Sequence, residues 1–144
     1  MALPETATTS HTDLDTAIAQ LQTELNRQDR IIAAQLGIGS AEDVQMLRLL
    51  ATTGPMRIGQ IADVRSAGKA TVSARVDRLE RDGLVTRARD GVDRRAVTVA
   101  LTALGESKAE ASRSTRLDRL RPLGDAHHTA VVSEIVAALR GADA

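Results

Sequence analysis

The sequence predicts a mainly α chain of the α+β class: four helices, one β-hairpin, then two more helices. Three observations carry this. Apolar residues recur at three- and four-residue spacing through most of 13–81 and again over 103–140, as one face of a helix requires. Between those regions, 84–101 alternates apolar and polar side chains around an Asp90-Gly91 pair, a hairpin signal. Helix-start and helix-stop residues fall at the matching joints: Ser40, Thr102 and Asp125 as starts, Gly37, Gly54-Pro55, Gly83 and Pro122 as stops.

Residues 1–12 are small and polar and are expected to be a disordered tail. The rest, 13–144, is expected to be one domain. A first helix over 13–36 follows from the stripe Leu14, Ile18, Leu21, Leu25, Ile32 and Leu36, and Gly37 and Gly39 end it. Ser40 then reads as an N-cap, with Asp43 at the capping-box position that Glu fills better. Val44, Leu47 and Leu50 face inward along the second helix, which Gly54-Pro55 stops. A short third helix over 57–64 buries Ile58, Ile61 and Ala62, and Arg65-Ser66-Ala67 makes a tight turn.

The fourth helix, 69–81, has Val72, Val76 and Leu79 as its core stripe and Gly83 as its left-handed terminator. Its opposite face carries Lys69, Ala70, Ser73, Ala74 and Asp77, small enough for close approach to a flat surface. Strands are expected at 84–89 and 95–101, with Val97, Val99 and Leu101 inward. Thr102 caps a sparsely apolar fifth helix (Leu104, Ala109, Leu117, Leu120), and Pro122-Leu123-Gly124 breaks it. Asp125 caps a last helix whose apolar face is Val131, Val132, Ile135 and Leu139. No internal repeat is visible.

Composition narrows the function. Formal net charge is zero over the 144 residues, yet 57–95 holds ten basic and six acidic side chains, a net +4 that leaves −4 for the remainder. A basic centre between acidic flanks is the footprint of a nucleic-acid-binding module, and equally of an asymmetric solvated surface. The absence of Cys excludes disulfides, thiolate redox sensing and cysteine-ligated zinc. The absence of Phe, Tyr and Trp leaves no platform for stacking single-stranded bases. The N-terminus has no basic, then apolar, leader and no run reaches a membrane span, so the expected location is cytoplasmic, with no membrane partner.

A helix the size of 69–81 fits a DNA major groove, and an arginine-tipped hairpin fits the minor groove beside it. Other chemistry finds little support. His127 and His128 are neighbours, so their imidazoles diverge by about 100° on a helix, and with only His11 besides them no metal site is expected. No Ser-His-Asp spacing, phosphate-binding glycine loop or HExxH motif is present, so neither an enzyme nor a cofactor is expected.

The run DGVDRRAVTVALTALG, following VDRLERDGLVTR, resembles the Asp-x-Arg wing and Leu-Thr-x-x-Gly helix start of the MarR family of bacterial winged helix-turn-helix transcription regulators. The likeness is topological over nearly the whole chain and reaches motif level from about residue 41 to 105. It implies a winged-helix core at 41–105 and dimerisation helices at 13–36 and 103–140. It further implies a homodimer on double-stranded DNA with a pseudo-palindromic operator, a repressor role, and release by a small-molecule effector. On the wing, the resemblance makes Arg95 the residue entering the minor groove, Asp93 the carboxylate orienting it, and Arg94 a phosphate contact. On the recognition helix the match is looser. Lys69, Ala70, Thr71 and Ser73 fall near base edges, Thr71 serving the helix start as an alternative. Arg75 and Arg78 fall at the DNA backbone, with Arg75 reaching phosphate or pointing to solvent. Ser66 stands where many relatives carry glycine, and Gly68 where a Ser cap is common. A different class of function, a winged helix that binds protein through the same surfaces, fits the fold as well.

Overall fold

The computed structural model describes residues 11–142. The order is α1 (His11–Leu36), α2 (Ala41–Thr53), β1 (Met56–Arg57), α3 (Ile58–Arg65), α4 (Lys69–Arg81), β2 (Val85–Arg89), β3 (Val97–Leu101), α5 (Ala103–Leu120), a 3₁₀ turn (Arg121–Leu123) and α6 (Ala126–Gly141). The mainly helical, hairpin-bearing class stands. Residues 1–10 of the expected tail lie outside the described residues, whereas His11 and Thr12 already belong to α1.

Expected as one domain, the chain divides into two compact units that meet at Ser112 and Arg113, within α5. In the first unit, Ile32 of α1, Val44, Leu47 and Leu50 of α2, Ile61 of α3, Val72, Val76 and Leu79 of α4, and Val85 and Val99 of the sheet close one core. These are the positions that helical and strand periodicity point inward, and burial of each contributes about 1.5–3 kcal/mol. The second unit holds the end of α5, the 3₁₀ turn and α6. It buries none of its large apolar side chains: Leu117, Leu120, Leu123, Val131, Val132, Val136 and Leu139 are all exposed.

The sheet differs from expectation in three ways. It has three antiparallel strands, ordered β1-β3-β2, because Met56 and Arg57 pair with Val99 and Thr98. Two residues after a Gly-Pro break carry no periodicity, so only the tertiary pairing reveals them. The strands flanking the hairpin start at Val85 and Val97, so the connection runs from Asp90 to Ala96, two residues longer than the expected 90–94. Asp90 N–H donates to Ala96 O at 2.9 Å, and Ala96 N–H to Asp93 O at 3.0 Å. Val97, expected inward, is exposed because the ribbon projects beyond the core there.

The helix ends follow local chemistry. Leu84 N–H reaches Leu79 O and Gly83 N–H reaches Glu80 O, with Gly83 at φ +73°, a Schellman closure that points the chain into β2. Thr102 Oγ1 accepts from Gly105 N–H at 3.1 Å and so caps α5. The same hydroxyl donates to Gly83 O at 2.6 Å, tying α5 to that turn.

Candidate nucleic-acid interface

α3, the turn at Ser66–Ala67 and α4 form a helix-turn-helix. The turn is a second Schellman closure: Ala67 N–H donates to Ala62 O at 3.0 Å and Ser66 N–H to Asp63 O at 3.2 Å. Ser66 sits at φ +49°, left-handed backbone that favours glycine. Gly68 precedes α4 without a side-chain cap, leaving the first N–H groups of α4 to other partners.

α4 turns three faces. Val72, Val76 and Leu79 are buried. Lys69, Ala70, Thr71, Ala74, Asp77 and Arg81 are exposed, and Ser73 is half-buried at the margin of that face. The Lys69 side chain lies over Gly59 of α3, whose missing Cβ leaves it room. The third face carries Arg75 and Arg78, and here the structure corrects the sequence reading. Arg75 Nη1 donates to Ser40 Oγ at 3.0 Å and Asp43 Oδ1 at 2.9 Å, so its guanidinium turns inward to α2 and does not point to open solvent. Arg78 donates to Asp43 through Nε at 3.3 Å and through Nη2 at 2.9 and 3.0 Å. Asp43 is fully buried, and a bare carboxylate there carries a desolvation cost that two guanidiniums offset. Its side chain therefore does not close a capping box. Ser40 Oγ alone caps α2, accepting from Asp43 N–H at 3.2 Å. The charge of Asp43 holds Arg78 above its ordinary pKa, chiefly through the hydrogen bond between them.

A second cluster escapes sequence reading as well. Asp29 of α1, also buried, accepts from Arg48 Nη2 at 2.5 Å and Gln45 Nε2 at 2.9 Å, while Gln45 Oε1 accepts from Arg65 at the end of α3. In sequence each of these residues looks like a solvated polar side chain. The signal in both clusters is an acid placed on an apolar helical face.

The wing stands beside α4. Arg87 of β2 pairs with Asp77 at 2.5 Å and with Glu80, which neutralises acids that would otherwise repel phosphate from this face. Arg57 of β1 pairs with Asp90 at 2.9 Å. Asp90 Oδ1 also accepts from Val92 N–H at 2.9 Å, and that bond, with Arg57 second, holds its carboxyl below the usual carboxylate range. Arg89 crosses the loop to Arg94 O at 2.8 Å.

Arg94 and Arg95 are exposed at the wing tip, and neither guanidinium has a hydrogen bond or ion pair among the described residues. Arg95 lies in the turn, not in β3. Asp93 Oδ1 accepts from the Arg95 backbone N–H at 3.0 Å, so Asp93 shapes the turn on which Arg95 rides and does not grip its guanidinium. That corrects the orienting role read from the sequence. Val92, missed in the sequence, is 97% exposed at the same tip.

The sequence profile of the MarR family matches residues 40–97, the span from the α2 cap through the wing. An uncharacterised HTH-type transcriptional regulator of Bacillus subtilis, YcgE, is 34% identical over 84 residues, 58% of this chain and 49% of the relative. This chain thus spans about half the length of that curated relative. A MarR family protein of Bacillus stearothermophilus superimposes with a TM-score of 0.73 at 23% identity, covering 90% of this chain and 92% of the other. A MepR variant of S. aureus bound to an oligodeoxyribonucleotide superimposes with a TM-score of 0.62 at 20% identity, over 91% and 98% of the two chains.

Proposed function

We propose that this chain, whose residues 40–97 match the sequence profile of the MarR family and whose fold matches that of a MarR family protein, is a transcription regulator, a repressor that binds a pseudo-palindromic DNA operator as a homodimer. The observation that carries the reading is the pairing of two surfaces. Among the described residues, both acids on the outward side of α4, Asp77 and Glu80, are paired with Arg87, and the wing beside it bears two exposed arginines whose guanidiniums have no intramolecular partner. α4 enters the major groove, bringing Lys69, Ala70, Thr71 and Ser73 near base edges. The wing enters the minor groove, where Arg95 meets enhanced negative potential and Arg94 meets phosphate, while Asp93 holds the turn. Arg78, 44% exposed, contributes to backbone binding through its outer edge; Arg75, 21% exposed, does not.

Dimerisation is supported by the apolar side chains left exposed on α1 (Leu14, Leu21) and on α6 (Val131, Val132, Leu139), more than a monomer ordinarily leaves to water. Two-fold symmetry then sets half-sites about one helical turn, roughly 10 base pairs, apart. Release by a small molecule is supported by a cavity of about 460 Å³ lined by Asn26, Arg30, Ala33, Ile38, Ser40 and Glu42. With no aromatic residue in the chain, its walls are aliphatic and polar.

The test is Arg95→Ala on an operator selected from a random duplex pool and on random duplex. Binding should weaken on both, the salt slope should fall by about one unit, and the melting temperature should not move. Parental affinity on both duplexes would overturn the DNA reading and favour a protein partner.

A further inference from the structure

We infer that Asp43 is a positioning residue for DNA binding: from the start of α2 it grips the Arg78 guanidinium and sets its outer edge at the border of the recognition face. The inference rests on the DNA-binding reading above and adds a residue that touches no DNA itself. Three observations carry it. The carboxylate is fully buried and receives Arg78 through Nε and Nη2, a forked grip that leaves Nη1 without a partner among the described residues on a side chain 44% exposed. A fork of this kind fixes the plane of the guanidinium as well as its place. The grip is itself braced: Arg75 Nη1 bridges Asp43 Oδ1 and Ser40 Oγ, and Ser40 Oγ also caps α2 on Asp43 N–H. Finally, Gly39 stands close beside the grip, so that a side chain there would press on it. A Cβ at Gly39 would stand 3.0 Å from Asp43 Oδ2 and 3.6 Å from Arg78 Nε.

On the helical wheel Arg78 lies about 60° further from the core stripe than Arg75 does. One carboxylate therefore does two things with two like charges. It draws Arg75 inward, away from the DNA face, and it presents Arg78 at the edge of that face. With Glu42 also 4.0 Å from Arg75, two carboxylates of α2 face the two guanidiniums, and what the junction presents outward is the free edge of Arg78, aimed by Asp43.

Asp43→Asn separates this role from simple electrostatics by the sign of its effect. It removes a negative charge near DNA, which by field alone tightens binding. If Asp43 positions Arg78, binding to the selected operator should instead weaken about tenfold. The salt slope should become shallower by up to one unit as an oriented phosphate contact is lost. Binding equal to or tighter than the parent's, with the fold intact by circular dichroism, overturns the assignment. Should Asp43→Asn fail to fold, Arg78→Lys decides: it keeps the charge on a half-exposed site and loses the fork. It should weaken operator binding about as much as Arg78→Ala does, and parental affinity in Arg78→Lys overturns the assignment. A parent that binds no duplex in a salt-dependent way overturns the DNA reading and this assignment together. A binding parent with unaffected variants overturns only the role of Asp43.

Discussion

Replacing Gly105 by alanine puts the sharpest strain on this architecture. Gly105 is buried in the first turn of α5, and a Cβ built on it would lie 1.9 Å from the backbone oxygen of Leu84 and 3.0 Å from its carbonyl carbon. A carbon and an oxygen in contact sit about 3.3 Å apart or more, so one backbone must retreat by on the order of 1 Å. Leu84 is poorly placed to move. Its carbonyl accepts from Thr102 N–H at 3.1 Å and its N–H donates to Leu79 O at 2.9 Å. If α5 lifts instead, the Thr102 cap on Gly105 N–H and the 2.6 Å bond from Thr102 to Gly83 O are strained, and Ala109 is drawn out of the core. One or two backbone hydrogen bonds at about 1 kcal/mol each, a cap at about 1 kcal/mol and overpacking at about 1–3 kcal/mol put the cost near 3–6 kcal/mol. For a chain of this length that lowers the melting temperature by about 10–15 °C. The assay is far-ultraviolet circular dichroism under heat and urea, since the chain has no Trp or Tyr to report by fluorescence. Gly91→Ala is the control: a Cβ there meets nothing within 4 Å, and stability should hold or rise slightly. A Gly105→Ala variant melting within about 3 °C of the parent would refute the clash argument.

Three further outcomes follow from particular contacts. Ser66→Gly should stabilise by about 0.5–1 kcal/mol, because a left-handed L-residue costs more than the chain entropy glycine adds; urea denaturation with an unchanged slope checks it, and a loss of stability contradicts it. The Asp90 carboxyl, held low by Val92 N–H and Arg57, should order the wing tip fully above the unfolded carboxylate pKa near 4 and release it only as pH falls through its own lower value. The titration of the Val92 amide by NMR reads this, and a midpoint at or above 4 would count against it. Leu139→Asp places a charge on a side chain that is 59% exposed in the single chain and buried in the proposed dimer, so it should shift the species seen by light scattering toward monomer at micromolar concentration; an unmoved distribution removes α6 from the interface.

What could be read from residues alone is what local physics dictates. The stripes Val72, Val76, Leu79 and Val44, Leu47, Leu50 are periodic, so their helices and their buried faces follow from spacing. Gly83 and Thr102 act on their own neighbours, so the end of α4 and the start of α5 follow as well. The wing motif marked an exposed arginine, and Arg95 is exposed.

What only the tertiary structure decided is every partnership across chain distance. Met56 and Arg57 become a strand because β3 offers its edge. Asp43 looked like a weak capping residue because a capping box is local; burial against α4 gives it two arginines 32 and 35 residues away. The same event turns Arg75 inward and leaves Arg78 exposed only along its outer edge. Charge acts through space, and a side chain with several rotatable bonds takes the partner that desolvation makes most valuable. Sequence spacing names the charges on a helix, and the fold chooses which of them remain free for a partner.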